Sequence, residues 1–380
     1  MSVSVFPTPS ASAETYSISA PYTYNGNPTA TITIPAGTYE TSASPEGMYL
    51  ISGSTIIGRT SPGTVEITSP ISSVNAYEFI LSTLPVSIGI QPDTLEFLNN
   101  IFITGNFSSV IQTSTDAITW TSRNSNLGTD YVINALTFGN GVYVAGAFNS
   151  TVNASRLVTS TDTITWTSRN SGFGSVSLQA LTFGNDVYVS AGGNGNLRTS
   201  TDAITWTTRT SGFGVSIINA LTFGNGVYVA GGANGILTTS TDAITWTTRT
   251  SGFGTSTINA LTFGNGVYVA CGTGNTLRTS TDAITWTIRS SGHSGSSTLQ
   301  KVGFGNGIYL VGGVSSLFSI STDSITWTSR TSGLTSHSSG LVYGNGRYIF
   351  ASRGTSTSYL TSMQPGVITL TKVGTAVGAV

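Results

Sequence analysis

Charge is scarce in this 380-residue chain. Lys, Arg, Asp and Glu together make up 8% of it, against about a quarter in an ordinary soluble domain. The net charge of −1 leaves no basic excess to neutralise phosphates, so nucleic acid is not an expected partner. A single cysteine, Cys271, excludes a disulfide within the chain and a thiolate metal site. It stands where other parts of the sequence carry Ala191 or Gly231, as an ordinary strand-end residue. The two histidines, His293 and His337, read as lone residues of linker loops and make no metal cluster. No metal and no cofactor are expected. No apolar run reaches the length of a membrane span, so membrane insertion is not expected either. The first residues have no basic region followed by a long apolar run, and no Sec-type signal is read there. Helical periodicity and helix caps are missing throughout.

What the chain has instead is repetition. Ser-Thr-Asp-X-Ile-Thr-Trp occurs six times, and Trp120, Trp166, Trp206, Trp246, Trp286 and Trp327 are all the tryptophans present. A recurrence close to every 40 residues is the signature of a repeat architecture. A second phrase, Phe-Gly-Asn-Gly-X-Tyr or a close relative, starts at Phe138, Phe183, Phe223, Phe263, Phe304 and Tyr343. Residues 97–102 carry a degenerate copy of it. Residues 361–370 read as a worn seventh copy of the Trp phrase, with Leu370 in the Trp place.

Residues 217–250 show what one unit builds. An apolar run to Phe223 meets Gly224-Asn225-Gly226, where Asn and Gly tolerate the positive φ of a tight hairpin. The β-branched and aromatic Val227-Tyr228-Val229 continues as a strand. A glycine-rich turn follows, then an alternating strand, the Asp242 turn and a fourth strand. Four strands per unit and seven units predict an all-β fold, a seven-bladed β-propeller of four-stranded antiparallel blades over residues 93–380. A β-solenoid is the alternative. Residues 1–92 hold neither phrase. Their short alternating runs, punctuated by Pro and Gly, predict a small β-sandwich or β-barrel that anchors the propeller.

The Trp phrase resembles the Asp-box of sialidase-type (BNR) propeller repeats, Ser-X-Asp-X-Gly-X-Thr-Trp. Ser240, Asp242, Thr245 and Trp246 match in kind, and the phrase here is one residue shorter and lacks the Gly. The resemblance implies a propeller with structural roles for Asp116, Asp162, Asp202, Asp242, Asp282 and Asp323: each Asp caps its turn while the Trp fills the gap between blades. It also raises sialidase chemistry. That chemistry needs three arginines on a carboxylate, a Tyr–Glu pair, an Asp acid and a Phe/Tyr-Arg-Ile-Pro motif, and the motif is missing. Beyond the Asp-boxes the repeat region offers only Glu96, Asp93, Asp130 and Asp186 as acids, a poor supply for a carboxylate pair. Arg123, Arg169, Arg209, Arg249, Arg289 and Arg330 each follow a Trp by three residues and read as a solvated row. No catalytic residue is assigned, and the protein is expected not to be an enzyme.

Binding is the expected role, and strand parity says where. The Gly-Asn-Gly and Asp-box turns share one face. The second-to-third loops and the linkers share the other, and that face carries the differences between copies. Blade 2 has extra residues there, within 149–156, which makes Asn149, Asn153 and Arg156 candidates. Four positions before each turn Phe stand Asp93, Asn134, Gln179, Asn219, Asn259, Gln300 and Ser339. The linkers present Phe173, Phe213 and Phe253. Amides with aromatics suit a glycan, through hydrogen bonds to hydroxyls and stacking on a sugar ring. Equally, amides can satisfy backbone groups around a channel and the aromatics can seal the blades. A Ser/Thr/Gly/Asn-rich surface without an export signal is expected of a virion surface protein: a phage fibre, spike or decoration protein. Residues 1–92 would then dock on other virion proteins, the head would contact a cell-surface glycan, and the chain would act as a homo-oligomer or part of a larger assembly. A bacterial multivalent lectin or adhesin at the cell surface is the second reading. A scaffold without ligand is the third.

Overall fold

A computed structural model of the chain describes residues 92–295, 297–314, 317–331 and 337–353, and outside them the strands at 15–19, 37–41, 48–52, 55–59, 64–67, 75–78, 86–87, 359–363 and 367–374. The chain divides into two compact units, Met1–Leu81 with Met363–Val380, and Ser82–Ser362.

The larger unit is a β-propeller. Blade 4 shows the pattern: Ile218–Gly224, Val227–Gly232, Leu237–Ser240 and Thr247–Arg249 pair in that order as one antiparallel sheet. The first turn is tight because Asn225 and Gly226 sit at φ 43 and 76, as a two-residue hairpin requires. Five other sheets of four consecutive strands repeat this plan, over residues 92–124, 132–169, 178–209, 258–289 and 299–331. The first strand of each blade packs against the first strands of its neighbours, so these strands line the axis.

The count of seven repeat-built blades is therefore corrected to six. The last position of the ring is taken by a composite sheet. His337–Gly344, Arg347–Arg353 and Tyr359–Met363 are followed in it by Val86–Ser87, an upstream strand, with Leu360 opposite Val86. The segment expected to close a seventh blade does otherwise. Leu370 lies in Val367–Gly374 and pairs with Tyr16 and Thr41, in a sheet with Thr15–Ser19, Gly37–Thr41 and Thr64–Ile67. The physical reason is visible in the sequence: that copy lacks the Ser…Asp pair that turns the chain back into a fourth strand. The domain boundary expected at residue 92, with everything after it in the propeller, differs for the same reason, since Met363–Val380 clusters with Met1–Leu81. In that smaller unit Met48–Ser52 lies between Thr55–Arg59 and Asn75–Glu78 in a second, three-stranded sheet.

Each Asp turn closes on itself through side-chain bonds. Asp242 accepts backbone N–H bonds from Thr245 and Ile244 at 2.8 Å each, and the Ser240 hydroxyl donates to it at 2.9 Å. Trp246 Nε1 donates to the Ala243 carbonyl at 3.2 Å, which pins the indole. Every tryptophan lies in or against a core cluster that joins two blades. Tyrosines add a second tie: the Tyr228 hydroxyl donates to the Gly184 carbonyl of the preceding blade, and Tyr268 does the same to Gly224.

The Asp turns predict the acid behaviour of the fold. Backbone N–H bonds from Thr245 and Ile244, then the Ser240 hydroxyl, hold the Asp242 carboxyl at about 2 against an ordinary 3.8. Asp116, Asp202 and Asp282 are likewise held at about 2. Asp162 and Asp323 are lowered too. The folded values lie below the unfolded ones, so the stabilisation is present above the ordinary carboxylate value and is lost as pH falls from about 4 towards 2. A denaturant midpoint that does not fall between pH 7 and 5 and drops steeply below 4 is the expected record. A midpoint that declines steadily from pH 7 would show that these carboxylates do not control it.

Candidate functional site

The site grows out of one irregularity that recurs in every first strand. The pairing of first and second strands slips between Ile133 and Ala135, Leu178 and Ala180, Ile218 and Ala220, Ile258 and Ala260, and Leu299 and Lys301. Blade 1 slips between Pro92 and Thr94, and the composite sheet between Ser338 and Gly340. A bulge adds one unpaired residue and re-aims its side chain. The extra residues are Asp93, Asn134, Gln179, Asn219, Asn259, Gln300 and Ser339, the same seven positions that the sequence singles out.

All seven line one cavity of about 820 Å³ at the axis. That volume is within the range of small-molecule sites. Val132, Phe148, Thr273, Thr298, Lys301, His337 and Ser338 complete the wall. The bulges lie at the beginnings of the first strands, on the side of the linkers and second-to-third loops. Three asparagines also tie blade to blade. Asn134 Nδ2 donates to the Leu178 carbonyl at 2.8 Å, Asn219 to Ile258 at 3.1 Å and Asn259 to Leu299 at 2.7 Å. One N–H of each amide is thereby used, which fixes the side chain and leaves its second N–H and its carbonyl oxygen as the polar groups of the ring. Two further oxygens are buried without a partner, Gln300 Oε1 and Ser339 Oγ.

One charged cluster breaks the neutral ring. Lys301 stands where four other blades carry Ala135, Ala180, Ala220 and Ala260. Burial lowers its ammonium from the ordinary lysine value, while Glu96, Cys271 and Asp93 act in the opposite direction. Burial pushes the Glu96 carboxyl up to about 7, with Lys301 pulling it down. Cys271 is fully buried and its thiol is pushed up to about 12, chiefly by burial, so it is not a nucleophile at neutral pH.

The remaining expected site residues are elsewhere. Phe173, Phe213 and Phe253 are 4%, 3% and 5% exposed and sit inside the clusters between blades, so the stacking platform expected of them is corrected to a seal. The insertion of blade 2 is largely tied to itself. Asn149 is buried, donates to the Thr129 carbonyl at 3.0 Å, and accepts N–H bonds from Thr151 at 2.9 Å and Val152 at 3.1 Å. Arg156 donates to the Leu127 carbonyl at 2.6 Å and lies 4.9 Å from the Tyr131 ring centre. Asn153 is the exposed candidate, at the tip with φ 49. His293 lies in its linker, as expected, half-buried in the place of a sealing Phe and 2.8 Å from the Ser319 hydroxyl, whereas His337 begins a channel-lining strand instead of lying in a loop. Sequence reasoning misses Lys301 and Phe148. A residue that departs from its own repeat, as Lys301 does from Ala, is the available signal.

Comparison with known proteins supports the fold. No family model matches the sequence, and no curated protein is significantly similar to it. Solved structures do resemble it. YCF48 bound to D1 peptide is 13% identical with a TM-score of 0.56, over 78% of this chain and 95% of that one. YCF48 from Cyanidioschyzon merolae is 15% identical with a TM-score of 0.55, over 76% and 99%. The WD40 β-propeller domain of Doa1 is 10% identical with a TM-score of 0.57, over 75% and 96%. At such identities the likeness is one of fold alone, that of a β-propeller.

Proposed function

We propose that this chain is a non-enzymatic recognition protein whose channel mouth binds a neutral, hydroxyl-rich ligand, a glycan. The observation that carries the reading is the convergence of bulge-borne side chains on one cavity of about 820 Å³. Three asparagines are each held by one N–H bond to a neighbouring blade, which orients the rest of the amide, a second N–H and a carbonyl oxygen, as partners for ligand hydroxyls. Six of the nine Asp residues in the sequence belong to the Asp turns, so few carboxylates remain for catalysis. Among the described residues no group of three or more His, Cys, Asp or Glu is placed to hold a metal ion. The charge-poor Ser/Thr/Gly/Asn composition supports display at a virion surface, with the smaller unit docking on other virion proteins.

A second reading has one observation in its favour. YCF48, a structural neighbour, is described with a bound peptide, and a peptide's N–H groups would meet the same acceptors. A glycan array probed with the full chain, followed by Asn219→Ala/Asn259→Ala on any hit, separates the two. The expected result is a glycan whose binding falls about tenfold or more in the double variant, two lost hydrogen bonds at a desolvated site. An array without hits, or a hit indifferent to the substitutions, would overturn the glycan reading.

A further inference from the structure

The geometry points to a finer specificity, which rests on the channel mouth being a ligand site: we propose that its arc from blade 6 through the composite sheet to blade 1 seats a primary ammonium group of the ligand. The arc is rich in acceptors. Ser339 is 7% exposed, and its hydroxyl oxygen has no partner. Gln300 Oε1, beside it in the ring, is also buried and unpartnered. A buried oxygen left unpaired costs free energy that an incoming N–H donor recovers.

Charge selects among donors. Asp93 lines the cavity, and both it and Glu96 act on Lys301. Asp93 places a carboxyl group on the cavity wall, and when ionised it favours a cation over a neutral or anionic guest; Glu96, held at about 7, adds negative charge behind it as pH rises through that value. A primary ammonium brings three donors and no acceptor, matching a set of oxygens in number and sign. A metal ion fits less well, because the described acids and histidines form no ligating group. The opposite arc stays neutral, so the remainder of the ligand can be uncharged.

Lys301 has a part in this design. Four other blades carry alanine at its position, so its ammonium is the chain's own partial occupant of an acidic seat. Removing it should therefore raise affinity for an amine, a direction opposite to ordinary loss of a binding residue.

Isothermal titration of the full chain at neutral pH tests the proposal with four probes. They are a fully deacetylated glucosamine oligomer, its fully N-acetylated counterpart, a lysine-containing peptide and its acetyl-lysine form. The deacetylated oligomer is expected to bind at least about tenfold tighter than the acetylated one, the effect of a single charge at partly screened range. Asp93→Asn should abolish that preference, and Lys301→Ala should strengthen the amine about tenfold; circular dichroism would confirm that both variants fold. Equal binding of the two oligomers overturns the ammonium seat and leaves the glycan reading standing. If only the unmodified peptide binds, the seat stands and its ligand is a protein amine, while the glycan reading falls. If no probe binds, or Lys301→Ala weakens the amine, the proposal is wrong.

Discussion

Replacing Trp286 by Ala should cost the propeller about 4 kcal/mol, the range found when a large aromatic is deleted from a packed core. Trp286 is 8% exposed and belongs to a cluster with Ala220, Val229 and Leu237 of blade 4 and Tyr268 and Ala270 of blade 5. Its ring thus stands between two sheets, alongside the polar ties of Tyr268 to the Gly224 carbonyl and of Asn219 to the Ile258 carbonyl. Its Nε1 also donates to the Ala283 carbonyl at 3.3 Å, across the Asp turn. Alanine would remove the plate and leave a cavity that the rigid flanking strands cannot fill. Trp246 has the same role but is only half-buried, so Trp246→Ala should cost less. Urea denaturation followed by far-ultraviolet circular dichroism gives the comparison: the midpoint should fall in both variants, and further for Trp286→Ala. An unchanged midpoint in Trp286→Ala would mean that the ring is a surface plate available to a ligand.

Much of this architecture is legible in the amino-acid sequence alone. The period of the Trp phrase, the hairpin chemistry of Asn225-Gly226 and the capping chemistry of Asp242 each act within a few residues, so local sequence expresses them. The ring of bulge residues is legible for another reason: repeats superimpose on one another, and a position four before each Phe stays equivalent in all of them. What escapes is non-local. Whether the strand at Val367–Gly374 closes a blade or pairs with Thr15–Ser19 depends on partners more than 300 residues away in sequence, and no local propensity encodes that choice. Counting repeats therefore overstates the number of blades. The linker phenylalanines are ambiguous because the same side chain can stack on a sugar or fill a gap, and only burial distinguishes the two. Lys301 is easily overlooked because attention to what repeats hides what does not.

Gly224→Ala should be nearly as damaging as loss of the tryptophan, about 3 kcal/mol, although it adds a single methyl group. The Phe-Gly pair of each repeat is an interlock. A methyl on Gly224 would overlap the Phe263 ring of the next blade, and the same holds for Gly139 with Phe183, Gly184 with Phe223 and Gly264 with Phe304. Gly305 meets Tyr343 and Gly344 meets Phe97, so the interlock runs on across the composite sheet to blade 1. Overpacking a rigid core usually costs about 1–3 kcal/mol. Here the upper end applies, because the added methyl would fall on the Phe263 ring itself, and Tyr268, ring centres 4.6 Å apart, restricts where that half-buried ring can move. Glycine's backbone freedom is not the cause, since Gly224 is not among the positive-φ residues. Truncating the opposing ring should then relieve the clash. In Gly224→Ala/Phe263→Ala the added methyl meets space, so the double variant should be less destabilised than the sum of the two single changes by about 1 kcal/mol or more, the coupling expected of residues in direct contact. Strict additivity in that cycle would show that Gly224 is needed for the strand alone, and that the blades are held by their tryptophans and tyrosines without the glycine interlock.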